Sequence, residues 1–407
     1  MKKIFITCYG GGHVNLINNI LPLFENFEVY VLALTKAIEV IDYSKCKVIS
    51  IEDIFNLYNE SEKVEILSLG KEIITNDLTL STEDSQFYMG IGMFNLIKEY
   101  GVELANVKFS KFGRHCFLQK DSALKILDFF KPDIVISTTS PRFELAMIIE
   151  AKKRGLVNIQ IDDLTADPSV QFIADEIIVL DSIVKERLNL RLNYKPKIHV
   201  LGNIVFSNFI KSVLNINSQK LKEKHTIEGI VVTFAPSKNI KLNDCYERID
   251  LIDDFSFTKE FEIFSDIKKS GYDFTLIVRP HRNEDINIYN NFKNLINFRV
   301  IDNKLMNIEE AISVSDIWVT SISTTGFQAS LVNKVVVTYT HDLDGKNVVK
   351  EYESLPFIYA NSLEHLGKKL KHALDIINNK TSTHREELFK NKILNSEIKF
   401  KNYFNSL

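Results

Sequence analysis

The stretch KPDIVISTTSPRFELAMIIEAKKRGLVNIQIDDL, Lys131–Leu164, holds three elements in one line. DIVIST is a continuous apolar run that ends in hydroxyl residues, and VNIQID is a second one. Between them FELAMIIEAKKRG has helical spacing and stops at a glycine. Apolar runs without alternation suit strands covered on both faces of a sheet. Strand, helix and strand in that order form a βαβ unit, and such units pair their strands in parallel.

The same rhythm extends in both directions. Upstream, KKIFITC reads as a buried strand, VNLINNILPLF as a helix and FEVYVLAL as a strand; downstream, EIIVL is one more strand. The pattern loosens after Gly202, where SNFIKSVLNINSQKLKEKHTIEG is polar and carries no strand signal. A second series then begins with GIVVTFAP and runs through YDFTLIVRP, FRVI, DIWVTSI and KVVVTYT, with helical stretches between them. The expected fold class is α/β, with two tandem Rossmann-like domains whose parallel sheets face a central cleft. The expected boundaries are 1–202 and 229–375, with a linker region at 203–228 and C-terminal helices over 376–407.

Composition supports that reading and removes others. A chain of 407 residues predicts two domains at ~100–200 residues each. With 45% hydrophobic and 25% charged residues, disorder, collagen and coiled coil are excluded for the whole chain. A formal net charge of −3 gives no whole-chain case for nucleic acid as a partner. Cys8, Cys46, Cys116 and Cys245 show no C-x-x-C pair, so reduced thiols and a cytoplasmic location are expected. Ile4–Cys8 is too short for a signal-peptide core, and no apolar window has the ~18–20 residues of a membrane span. The tail lysines Lys368, Lys369, Lys371, Lys390, Lys392, Lys399 and Lys401 leave peripheral contact with an anionic membrane open, but acidic neighbours dilute them.

Five segments at strand ends carry the candidate chemistry. Gly10-Gly11-Gly12-His13 follows the first strand and precedes a helix. Glycines there let backbone amides approach a ligand, a helix start favours an anion, and histidine is the side chain suited to proton transfer near neutral pH. Ser137-Thr138-Thr139-Ser140-Pro141-Arg142 ends the strand DIVI; it offers a polar edge, or a helix start capped by Ser140 with Pro141 in the first turn. Asp162-Asp163 ends the next strand, as a general base, a sugar-hydroxyl acceptor or a plain turn. In the second half, Arg279-Pro280-His281-Arg282 has fork-like donors suited to phosphate. Thr320-Ser321-Ile322-Ser323-Thr324-Thr325-Gly326 places hydroxyls and glycine before a helix, as a phosphate cradle or as simple capping. Arg114-His115 is a weaker candidate for an acceptor side. No H-E-x-x-H, G-x-x-x-x-G-K-[ST] or G-x-S-x-G occurs, so neither a metal site, a P-loop nor an α/β-hydrolase elbow is expected.

Together these residues resemble a GT-B glycosyltransferase of bacterial surface polysaccharide or glycolipid biosynthesis. KPDIVISTTSPRFELAMIIEAKKRGLVNIQIDDL looks like the stretch closing that family's first domain. ADEIIVLDSIVKERL with HVLGN looks like its passage into the second, and SDIWVTSISTTGFQASLVNKVVV like its donor-binding strand, loop and helix. The resemblance implies that 1–202 is the acceptor-side domain and 229–375 the donor domain. It implies that Gly11, Gly12 and His13 line the cleft, with Arg279, His281, Ser321, Ser323, Thr324, Thr325 and Gly326 around the donor. Arg114, His115, Arg142 and Asp162 would then lie on the acceptor side, and His13 or Asp163 would be the base.

The chain also departs from relatives of that fold. No E-x₇-E pattern of the retaining enzymes is evident, and SISTTGFQAS stands where the UDP-sugar 2-epimerases carry a glutamate-bearing glycine-rich segment. Asp162-Asp163-Leu164 and Pro280-His281 only partly match the acidic pair and His-Pro of the sialyltransferases. The resemblance therefore implies a metal-independent transferase with no resident cofactor, a nucleotide-sugar substrate and a saccharide or lipid-linked acceptor. It leaves UDP and CMP, and an epimerase, a hydrolase or a non-catalytic nucleotide-sugar binder, as alternatives.

Overall fold

In the computed structural model, the described residues are 1–74, 81–162, 166, 170–236, 240–242, 248–250, 257–281, 284–321, 323–339, 357–379 and 393–407. By internal contacts the chain divides into two units, Met1–Val205 with Asn395–Leu407, and Phe206–Leu394.

The first unit is built on seven strands: β1 (Lys2–Cys8), β2 (Phe27–Ala33), β3 (Lys47–Ile49), β4 (Ile134–Ser137), β5 (Val157–Ile161), β6 (Glu176–Val179) and β7 (Lys197–Val200). They form one sheet in the order β3-β2-β1-β4-β5-β6-β7, and every neighbouring pair is parallel. Side chains alternate between the two faces, as the pleat requires. Ile4, Ile6, Ile134 and Ile136 belong to one core cluster, and Phe5 and Val135 to another. Both faces are therefore covered, which is why these strands read as unbroken apolar runs.

Between β3 and β4 the chain is helical, with Ile51–Phe55, Glu60–Ile73, Thr82–Tyr100, Val102–Phe112 and Lys120–Phe130. Glu60–Ile73 and Thr82–Tyr100 approach so closely that a Cβ on Gly90 would lie 2.1 Å from the Ile66 carbonyl oxygen. Glycine is the residue type that permits this approach.

The second unit repeats the plan. Its strands are β8 (Val231–Ala235), β9 (Ile240–Leu242), β10 (Arg248–Asp250), β11 (Thr275–Val278), β12 (Arg299–Val300), β13 (Ile317–Thr320), β14 (Val335–Tyr339) and β15 (Phe357–Ala360). β9 and β10 form a separate antiparallel pair, and the other six make a sheet in the order β12-β11-β8-β13-β14-β15. That sheet is parallel throughout. Phe234, Phe261 and Phe264 fill one of its core clusters, and Trp318, 0% exposed, anchors another. In both units the chain starts at an inner strand, builds outward on one side and returns to build on the other. This is the doubly wound order of dinucleotide-binding folds.

Two segments differ from the sequence-based expectation. Residues 203–228, read as a linker region, contain the helices Ile204–Leu214 and Ser218–Lys224, and the division between units falls at their beginning, after Val205. The helix Leu363–Asn378 belongs to the second unit, whereas the last helix, Ser396–Asn405, belongs to the first. Its Phe400 and Phe404 are 0% exposed. The Phe404 ring lies 4.5 Å from that of Phe24, and Tyr403 donates a 2.7 Å hydrogen bond to Glu176 Oε2. Periodicity marks this helix as amphipathic, but it does not say which apolar surface the helix covers.

Candidate functional site

In a doubly wound sheet, ligands bind outside the carboxyl ends of the strands where the strand order reverses. In the first unit that point lies between β1 and β4, whose last paired residues are Thr7 and Ser137. The segments leaving these strands, Gly10–His13 and Thr138–Arg142, therefore emerge side by side. Gly11 takes φ 76 and ψ −133 as the cap of helix Gly12–Ile20, and no side chain caps that helix. A Cβ on Gly11 would meet nothing within 4 Å, so glycine is required there by backbone conformation and not by crowding.

His13 is fixed by both ring nitrogens. Nδ1 lies 2.6 Å from Thr138 Oγ1, and Nε2 lies 3.3 Å from Ser140 Oγ. Thr138 in turn donates to Glu144 Oε2 at 2.5 Å. Glu144 also accepts the Ser140 backbone N–H at 3.2 Å on Oε2 and the Tyr9 backbone N–H at 3.1 Å on Oε1. Its side chain is 0% exposed. Burial raises its pKa above the usual glutamate value, against the opposing pull of His13, Thr138 and the two amides.

These donors set the tautomer. With its proton given to Glu144, the Thr138 hydroxyl can only accept from His13, so the imidazole carries its hydrogen on Nδ1. Nε2 is then the basic nitrogen, next to the Ser140 hydroxyl and on a partly exposed side chain. The arrangement is a histidine oriented by a buried carboxylate through an intervening hydroxyl. Glu144 is the residue that sequence reasoning missed. It resembles an ordinary acid in the first turn of a helix, where such residues are favoured anyway.

The expected capping of the next helix by Ser140 is not what forms. Helix Phe143–Lys153 is preceded by Arg142 at φ 71, with no side-chain cap. Ser140 instead turns toward His13, because Glu144 holds its amide. Arg142 Nε lies 3.4 Å from Tyr9 OH, and the guanidinium carbon sits 4.8 Å above the Tyr9 ring. Its Nη1 is 3.5 Å from His115 Nδ1. Arg114 and His115 lie in the short 3₁₀ turn Gly113–Cys116. Thus Arg142 and His115, read separately in the sequence, come together. Asp162 is buried, and its Oδ2 accepts the Ala166 amide at 2.9 Å. Asp163 lies outside the described residues.

In the second unit, the order reverses between β8 and β13. Ser323 precedes helix Thr324–Leu331, and its Oγ accepts the Thr325 amide at 3.3 Å. Thr325 Oγ1 is 3.1 Å from Ser323 Oγ and accepts from Trp318 Nε1 at 3.3 Å. Capping is therefore the observed work of Ser323, and Thr325 turns inward. Gly326 is buried, and a Cβ there would lie 2.9 Å from Thr320 Cγ2. Thr324 is exposed at the helix start, and Ser321 is partly exposed beyond β13.

Arg279 departs from its expected place. It is 4% exposed, and its guanidinium donates to the carbonyls of Ile301 at 3.1 Å and Met306 at 2.7 Å. A further bond goes to Asn303 Oδ1. The side chain is turned into the protein, where it braces the loop after β12. His281 is exposed; its backbone N–H donates to Glu284 Oε2 at 3.0 Å. Arg282 lies outside the described residues. Among the described residues no group of histidines, cysteines and acids could hold a metal ion, and no helix is long and apolar enough to cross a membrane.

No family model matches this sequence, and no curated protein does either. Similarity is found at the level of structure. A UDP-GlcNAc 2-epimerase from Methanocaldococcus jannaschii aligns with a TM-score of 0.58 and 12% identity, covering 99% of each chain. A UDP-GlcNAc 2-epimerase from Neisseria meningitidis, solved with UDP-GlcNAc bound, gives 0.57 and 11% over 99% of this chain and 98% of its own. A glycosyltransferase from Rickettsia africae gives 0.56 and 13% over 100% and 97%. The chain thus has a GT-B-type fold, with two parallel α/β sheets of seven and six strands.

Proposed function

We propose that the protein is a metal-independent glycosyltransferase. In this reading it moves a sugar from a nucleotide-activated donor, UDP- or CMP-linked, to a hydroxyl of a saccharide or lipid-linked acceptor. The observation that carries the reading is the chain His13–Thr138–Glu144, which leaves Nε2 of His13 as a base at the switch point of the first sheet. The acceptor hydroxyl gives its proton to Nε2 as its oxygen attacks the anomeric carbon. Glu144 stabilises the imidazolium that forms. The nucleotide leaves with the negative charge on its phosphate; taken by itself, the second unit offers donors suited to a phosphate in the amides at the start of helix Thr324–Leu331 and the hydroxyls of Thr324 and Ser321. Arg279 in this reading holds the loop after β12.

The test begins with thermal shifts in UDP, CMP, GDP and dTDP. A nucleotide at a hundred times its dissociation constant stabilises the fold by ~2.7 kcal/mol. No shift with any of the four ends the donor hypothesis. With the donor known, His13→Ala is expected to lower transfer by ~10²–10⁴-fold while the thermal shift persists. Rapid nucleotide release that needs no acceptor replaces the transferase with a hydrolase or a 2-epimerase.

A further inference from the structure

The helix Val102–Phe112 lies on the first unit with little share in its core: of its 11 residues only Ala105 is buried. Glycines at positive φ, Gly101 at 76° and Gly113 at 55°, turn the chain at its two ends. Three of its aliphatic side chains face solvent, Val102 at 59% exposure, Leu104 at 47% and Val107 at 61%. Leu104, Val107, Lys108 and Lys111 follow the i, i+3, i+4, i+7 spacing, so they share one side of the helix. The two ammonium groups sit over aromatic rings, Lys108 4.5 Å from the centre of Tyr100 and Lys111 4.9 Å from that of Phe112. Among the described residues neither lysine pairs with a carboxylate. On the adjoining helices the opposite holds: Lys98 pairs with Glu62 and Asp121, Lys120 with Glu99 and Lys125 with Glu62. The helix has one acid, Glu103, in its first turn, where it complements the helix dipole. Arg114 carries the positive charge on into the turn that follows. Exposed aliphatic side chains bordered by long-stemmed basic ones are the composition that seats a helix in the headgroup layer of an anionic bilayer.

We infer that the exposed side of helix Val102–Phe112 docks the protein on an anionic lipid surface. A second copy of the chain is the poorer occupant, because a two-fold contact sets Lys108 and Lys111 against their own counterparts. Sequence alone directs attention to the tail lysines, yet the last helix spends its apolar side inside the first unit, with Phe400 and Phe404 buried. Docking on lipid needs neither donor nor acceptor, so it stands or falls apart from the transferase reading.

The experiment is co-sedimentation of the full chain with vesicles of mixed phosphatidylglycerol and phosphatidylcholine, and with vesicles of phosphatidylcholine alone. Binding is expected to the anionic vesicles only. It should weaken as salt rises from ~0.1 M to ~1 M, where the screening length drops from ~10 Å to ~3 Å. Lys108→Gln combined with Lys111→Gln should reduce binding by ~10-fold or more. Val107→Ser keeps every charge and should reduce it by ~3-fold or more. None of these side chains is buried, so the variants should melt close to the parent, and circular dichroism checks that they do. Lys399→Gln combined with Lys401→Gln should leave binding unchanged. No binding to anionic vesicles, equal binding to neutral ones, or full binding by both folded helix variants overturns the inference. So does loss of binding in the tail variant alone. A dimer in sedimentation velocity that the helix variants dissolve overturns it as well, and gives this side to a second copy.

Discussion

His13 and Glu144 are joined through a single oxygen: Thr138 Oγ1 lies 2.6 Å from the imidazole Nδ1 and 2.5 Å from the carboxylate. The link works in one direction of hydrogen bonding only, and so it fixes where the histidine can accept a proton.

Glu144→Gln keeps the shape and removes the charge. One carboxylate oxygen becomes an amide that cannot accept, so at least one of the three donors aimed at the group loses its partner. Stability is expected to fall by about 1–3 kcal/mol, and turnover by ~10–100-fold with nucleotide affinity retained. A purely structural role would leave the pH dependence of kcat unchanged. A positioning role changes that dependence, because Glu144 faces His13 through the Thr138 hydroxyl.

Glu260 makes a prediction about pH. Burial pushes its carboxyl up to about 7, with the Tyr339 hydroxyl opposing the shift through a 3.2 Å hydrogen bond. A carboxyl raised in the folded state costs nothing while it is protonated in both states. Stability is therefore lost as pH rises from the ordinary glutamate range through about 7, and the cost is full above it. Its size is on the order of 3 kcal/mol, at ~1.4 kcal/mol per pKa unit. Urea unfolding should find Glu260→Gln more stable than the parent at about pH 8 and nearly equal to it at about pH 5. A parallel pH dependence in the two proteins would refute this.

Arg279→Ala separates bracing from phosphate binding. It strips the partner from the carbonyls of Ile301 and Met306 and from Asn303, at about 1–3 kcal/mol for each group left buried and unpaired. The expected outcome is a lowered urea midpoint, with the nucleotide dissociation constant of the folded fraction changed by less than ~3-fold. A large loss of affinity in a stable variant would restore the phosphate role.

Gly90→Ala should be among the most damaging single-methyl changes in the first unit. The added carbon would stand 2.1 Å from a backbone oxygen that cannot turn away, so the two helices must separate. A loss of ~3 kcal/mol or more is expected, at the upper end for overpacking, measurable by circular dichroism during thermal unfolding.

The sheets were legible in the sequence because a strand buried on both faces cannot hide its composition. KKIFITC maps onto Lys2–Cys8 and KVVVTYT onto Val335–Tyr339 with little adjustment. The place of His13 was legible for the same reason, since a glycine run after a strand marks a carboxyl edge. Glu144 was not, because its role depends on the register of β1 against β4, a relation between segments more than a hundred residues apart. Arg279 misled in the opposite sense. Its neighbours Pro280 and His281 advertise an exposed basic loop, whereas its burial is decided by Ile301–Met306, which folds back over it later in the chain. Joining Arg142 to His115 likewise needed the helical segment between β3 and β4, whose layout periodicity alone does not give.

The last helix imposes an order on synthesis. Because Asn395–Leu407 completes the first unit, the chain that leaves the ribosome first cannot finish folding first. At ~5–20 residues per second, everything from Phe206 to Leu394 emerges while the surface destined for Phe400 and Phe404 waits uncovered for some tens of seconds. The unit encoded in the middle is complete before the one that begins the chain, and a nascent protein stalled near its end would carry a sticky, half-dressed amino-terminal sheet for chaperones to recognise.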